Sequence, residues 1–104
     1  MRKVRIQTGV CQRINKEKSM YEKETEDILK EIETMKKTEG IDEYDIKKKG
    51  ELFKESEMMV PDCEKRLAVA MEKMKELLKL HEQYSDNELY VKAQKVLAEV
   101  EGSA

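Results

Sequence analysis

Residues 56–84, SEMMVPDCEKRLAVAMEKMKELLKLHEQY, decide the fold. Read in steps of four and three, the stretch aligns Ser56, Val60, Cys63, Leu67, Ala70, Met74, Leu77, His81 and Tyr84 in one row. That alternation is the seam of a helix packed lengthwise on other helices. Pro61 should interrupt it, because proline has no N–H and its ring meets the carbonyl four residues back, here that of Glu57. A true break would let the row slip out of phase. The phase holds on both sides, so the reading is one long helix with a kink at Pro61.

Working outward, the segment before it carries a second row: Val4, Gln7, Cys11, Ile14, Lys18, Tyr21, Thr25, Ile28, Ile32 and Met35, widened by Val10 and Leu29. It predicts a first helix over 4–37. Val4, Ile6, Thr8 and Val10 also alternate as a strand would, but a lone strand has no partner here, so helix is expected with fraying before Thr8. Gly40 supplies a left-handed C′ residue, and Asp42 the N-cap of a second helix over 43–82 that passes Ile46, Leu52 and Phe53. Ser85-Asp86-Asn87 caps the next helix, with Glu88 three residues after Ser85 as in a capping box. That third helix, over 86–101, carries Leu89, Ala93, Val96 and Val100, widened by Tyr90 and Leu97. Gly102-Ser103-Ala104 adds no pattern. The expected fold is all-α: a single domain over 1–104, an elongated, rod-like antiparallel three-helix bundle whose long helices measure roughly 45–60 Å.

Composition agrees. Of 104 residues, 42% are charged and 5% aromatic, with no Trp, which is the profile of long helices burying a narrow seam. So polar a chain invites a reading of disorder, but sustained seams argue against it. Net charge is −2, so no global field draws the protein to nucleic acid or membrane. Residues 1–18 are an exception, with six cationic side chains against Glu17, a net of +5. No aromatics interleave with that basic segment, and acidic runs follow at 22–27 and 31–33, so nucleic-acid binding is not expected. No stretch approaches the ~18 apolar residues of a membrane span, and a soluble intracellular protein is expected.

Reaction chemistry finds no purchase. His81 is the only histidine, which rules out triads, HExxH pairs and histidine clusters, and it falls where a helix-terminal histidine would. There is no P-loop and no GxGxxG. Cys11 and Cys63 sit on seams without a CxxC, and read as buried reduced thiols. Neither catalysis, nor a metal, nor a cofactor is expected.

Several motifs carry a resemblance. Thr8-Gly9-Val10, Lys16-Glu17-Lys18 and Met20-Tyr21-Glu22-Lys23-Glu24 look like the first helix of the tubulin-specific chaperone A (tubulin-folding cofactor A) family. Tyr44-Asp45-Ile46-Lys47-Lys48 resembles the start of that family's second helix. Glu55-Ser56, then Met58-Met59-Val60-Pro61-Asp62-Cys63 and Arg66-Leu67, resemble its proline signature. Order and spacing fit, and the resemblance covers nearly the whole chain. It implies a cytoplasmic, cytoskeleton-associated chaperone that uses no nucleotide and performs no chemistry. Such a chaperone holds quasi-native β-tubulin after chaperonin release and before α/β heterodimer assembly. The implied partners are β-tubulin and other tubulin-folding cofactors, with the chain a monomer or homodimer.

Within those motifs, Tyr21, Ile46, Val60 and Cys63 are seam positions and read as packing, and Pro61 reads as architectural. The exposed positions are the expected partner contacts: Glu22, Lys23, Glu24, Lys47, Lys48, Glu55, Glu57, Met58 and Asp62. The competing reading is a helical coiled-coil adaptor or oligomerisation module, which fits the composition but leaves YDIKK and MMVPDC without explanation.

Overall fold

The computed structural model describes residues 1–102; Ser103 and Ala104, featureless in the sequence, lie outside them. Three α-helices form in order: α1 (Arg2–Lys37), α2 (Glu43–Leu80) and α3 (Glu88–Gly102), with a single 3-10 turn at Glu82–Tyr84. The described residues contain no strand. Helix is kept from Arg2 because Val4 is fully buried and Arg5 N–H donates to the Met1 carbonyl at 3.0 Å, while Ile6 lies 53% exposed. The strand-like alternation of the first residues is therefore coincidental.

The helix ends follow local chemistry. Gly40 takes φ 80°, a left-handed conformation that glycine enters without a Cβ penalty, but it lies in the turn three residues past the end of α1 at Lys37, beyond the expected C′ position. Asp42 caps α2, its Oδ1 accepting from Tyr44 N–H at 3.0 Å. α2 runs unbroken through Pro61, which is exposed, as is Glu57. Pro61 brings no N–H for the Glu57 carbonyl, and both residues stand on the exposed face of the helix, where the ring meets no packed neighbour helix. α2 ends at Leu80, short of the expected 82, so the last seam positions, His81 and Tyr84, fall in the turn and Tyr84 is 49% exposed. His81 Nδ1 lies 2.7 Å from the Leu77 carbonyl. Because a carbonyl only accepts, Nδ1 carries the proton and the ring closes the helix end. The cap of α3 is Asn87 rather than Ser85: its Oδ1 accepts from Leu89 N–H at 2.9 Å.

The chain forms two compact units. One is Glu17–Cys63; the other joins Met1–Lys16 to the chain from Glu64 onward. In the first, the C-terminal part of α1 and the N-terminal part of α2 make an antiparallel hairpin. Ile28, Ile32, Ser56 and Cys63 are buried there, and Tyr21, Ile46, Phe53 and Val60 half-buried. Thr25 and Ser56 join hydroxyls across it at 2.9 Å, and Lys49 pairs with Glu31 nearer the turn. In the second unit all three helices share a core, with Val4 and Cys11 from α1, Leu67, Ala70 and Met74 from α2, and Ala93, Val96 and Val100 from α3. Leu78, not Leu77, continues the seam below Met74. Polar ties accompany the apolar contacts. Gln7 Nε2 donates to the Ala70 carbonyl at 2.8 Å, Thr8 Oγ1 donates to the Val4 carbonyl at 2.7 Å, and Lys75 meets Glu101 at 2.9 Å.

Candidate functional site

All nine expected contact residues, and Pro61, lie in the 17–63 unit and all are exposed. The helical period sorts them. On α2, Lys47, Glu51, Glu55, Met58 and Asp62 follow one another by four, four, three and four residues, so they share one solvent-facing side. Lys48 stands beside that row, its Nζ 5.6 Å from the centre of the Tyr44 ring, a cation–π contact one turn back. Glu57 does not belong to it: one residue before Met58, it turns onto another flank. On α1, Glu22, Lys23 and Glu24 are consecutive, and at 100° per residue they fan around the helix instead of forming a row. Lys23 and Glu24 also line an open hollow of about 550 Å³ with Met20, Asp27 and Glu31.

The electrostatics of this surface are those of unspent charge. Glu22 has Lys18 at 3.7 Å, and Asp62 makes an interaction of its own. Lys23, Glu24, Lys47, Glu55 and Glu57, by contrast, have no ion-pair partner within 4.0 Å among the described residues. Positive charge gathers at the start of the α2 row (Lys47, Lys48) and negative charge further along (Glu51, Glu55). A surface so divided can dock a partner of complementary pattern. Met58, 73% exposed in the middle of it, adds a flexible apolar contact.

Four exposed apolar side chains of this unit, Met20, Leu29, Tyr44 and Leu52, were not among the expected contacts. Tyr44 is 63% exposed on the same side of α2 as Met58, and Leu52 is 48% exposed on another. Tyr44 was within reach of sequence reasoning, since it stands three residues before Lys47 and so on the same face. No group of three metal-ligating side chains occurs among the described residues, and no helix is long and apolar enough to cross a membrane. Neither cysteine forms a disulfide and both are buried, and burial pushes the Cys11 thiol pKa up.

These features define an all-α protein whose candidate site is a charged, solvent-facing helical surface, not a cleft. The family model for tubulin binding cofactor A matches residues 1–97. Tubulin-specific chaperone A of Gallus gallus is 42% identical over 100 residues, covering 96% of this chain and 92% of its own. Among solved structures, human tubulin chaperone cofactor A superposes with a TM-score of 0.81 at 40% identity, covering 96% of both chains. Tubulin folding cofactor A from Arabidopsis thaliana superposes with a TM-score of 0.86 at 38% identity, over 97% of this chain and 94% of that one. The chain belongs to the tubulin binding cofactor A family.

Proposed function

We propose that this protein is a cytosolic holding chaperone for β-tubulin. It would receive the quasi-native subunit after chaperonin release and keep it until the α/β heterodimer is assembled, without nucleotide, cofactor or covalent chemistry. The observation that carries this reading is a set of five exposed, unpaired charges on the 17–63 unit. Lys23, Glu24, Lys47, Glu55 and Glu57 face water there with no ion-pair partner within 4.0 Å among the described residues. Such a surface favours polar complementarity, which brings fast association and ready exchange instead of trapping. A client that must be passed on needs that balance.

Lys47, Glu55, Met58 and Asp62 form the main contact row in this proposal, with Lys48 beside it, Glu22, Lys23 and Glu24 contacting from α1, and Glu57 from its own flank. Pro61 bends α2 so that the row follows the client surface. Binding to β-tubulin freed from the heterodimer, followed by size-exclusion chromatography at low and high salt, tests the reading. A discrete complex that dissociates as salt rises is expected, because exposed charges are screened within about 8–10 Å at physiological ionic strength. No complex at any salt, with the protein folded, would return the chain to the class of helical adaptors. An affinity indifferent to salt would remove the electrostatic account.

A further inference from the structure

A second surface, in the other unit, is absent from the reading above and does not depend on it. Between the start of α1 and the middle of α2 runs an open groove of about 500 Å³. Its floor is apolar, made of Val10, Ile14 and Val69, and its α2 wall is cationic, made of Lys65, Arg66 and Lys73. No acidic side chain and no residue of α3 lines it. Val69 is 70% exposed and stands between Lys65 and Lys73 at intervals of four, so apolar and cationic groups alternate along one row of α2. Arg66 makes an interaction of its own, whereas Lys65 and Lys73 have no ionic partner within 4.0 Å among the described residues. On α1 the lining row is Gln7, Val10 and Ile14, and Lys3, one turn earlier, extends it with another cation.

The groove has the form of a helix seat. Its lining covers two turns on each wall, about 10–12 Å, which matches the i, i+3/i+4, i+7 anchors of a docked amphipathic helix. A small ligand would need enclosure and convergent polar groups, and the groove is open with its one neutral polar side chain, Gln7, already donating to the Ala70 carbonyl. The lining contains no aromatic ring for nucleic-acid bases to stack on. We propose that this groove docks an acidic amphipathic helix of a partner protein. The partner's apolar stripe would cover Val69, Val10 and Ile14, and its flanking carboxylates would reach Lys65 and Lys73. The occupant is assigned by charge complementarity: a basic or neutral amphipathic helix meets the same floor but finds only like or unanswered charge at the rim.

The probe is a fluorescein-labelled synthetic helix of about 18 residues, with leucines spaced three and four apart and glutamates elsewhere. Its twin carries lysines in place of the glutamates. Anisotropy titrations with the full chain at low salt should show binding of the glutamate helix and none of its twin. Lys65→Glu combined with Lys73→Glu should weaken binding by at least about tenfold, and Val69→Asp by a similar factor. All three side chains are exposed, so circular dichroism should be unchanged by either variant. Failure of the glutamate helix to bind would overturn the proposal, as would equal binding by the variants. Sedimentation of the free chain supplies a third arm. A dimer dissolved by the double variant would make a second copy of this chain the occupant, and would likewise overturn the assignment to an acidic partner helix.

Discussion

Replacing Pro61 with alanine should make the protein more stable, and the structure sets the size of the gain. Proline inside a helix costs about 3 kcal/mol relative to alanine, through one lost hydrogen bond and the clash of its ring with the preceding turn. Pro61 lies nineteen residues before the end of α2 at Leu80, far from either terminus where that cost would vanish. Its side chain is exposed, so alanine leaves no cavity and meets no neighbour. Against the gain stands the greater freedom of the unfolded alanine chain, worth about 0.4–1 kcal/mol. About 2 kcal/mol of net stabilisation remains. In urea, with a slope near the lower end of ~1–3 kcal/mol per molar for a chain this small, the midpoint should rise by about 1–2 M. Circular dichroism at 222 nm is a sufficient monitor, since the described chain is almost wholly helical. An unchanged or lowered midpoint would refute the reasoning, because Pro61 would then belong to the packing. If the variant gains stability and binds β-tubulin less well, the proline is kept for its shape. Equal binding would make the proposed bend irrelevant to the client.

Three further outcomes follow from the cores. Met74 is fully buried and Met58 is 73% exposed, so Met74→Ala should cost about 3 kcal/mol in the same urea assay and Met58→Ala less than about 0.5; comparable costs would contradict the seam. Thr25 Oγ1 already donates to the Tyr21 carbonyl at 2.7 Å, so its 2.9 Å bond to Ser56 has Ser56 as donor. Ser56→Ala and Thr25→Ala should therefore couple by about 0.5–1.5 kcal/mol in a double-mutant cycle, and strict additivity would deny the bond. Burial raises the Cys11 thiol pKa above its ordinary 9.0. Below that value both folded and unfolded chains keep the proton; above it the unfolded chain releases its proton first. Cys11 should thus erode stability as pH climbs beyond about 9, and Cys11→Ala should flatten that part of the curve. A variant with the same alkaline slope as the parent would refute this.

Much of the fold was legible because period and burial coincide. Val4, Cys11, Ile14, Ile28 and Ile32 on α1, and Ser56, Cys63, Leu67, Ala70 and Met74 on α2, are buried where the three-and-four spacing put them. The left-handed Gly40 and the Asp42 cap were legible because each rests on chemistry confined to a few adjacent residues. Misreadings occur where tertiary contacts decide. Leu77 and Leu78 are adjacent leucines that a stripe cannot rank, and the shared core of three helices selects Leu78. Thr8 hides its hydroxyl by donating to the Val4 carbonyl, which lets a polar residue sit buried and off the stripe. Ser85 and Asn87 are both good caps, and only the backbone path of the turn selects Asn87. The candidate site was legible as a list of exposed positions. Its grouping into the α2 row, the lack of ionic partners at Lys23, Glu24, Lys47, Glu55 and Glu57, and the seat lined by Val69 needed coordinates, because a charge's partner and a valine's neighbours are not written in spacing.

The polar ties inside the seams bear on how the two long helices can slide. Apolar stripes alone tolerate displacement by a whole turn, about 5.4 Å, since one leucine or isoleucine then meets the next. Gln7 cannot make that move cheaply: with its amide 2.8 Å from the Ala70 carbonyl, a shift would leave a buried amide facing hydrocarbon. In the other unit the Thr25 and Ser56 hydroxyls impose the same condition independently. The chain is itself a set of amphipathic helices, exposed to slipped or exchanged pairings whenever it opens. With each unit carrying its own notch, a misaligned pairing forfeits a polar bond in whichever unit forms first, and reclosing is directed back to a single alignment.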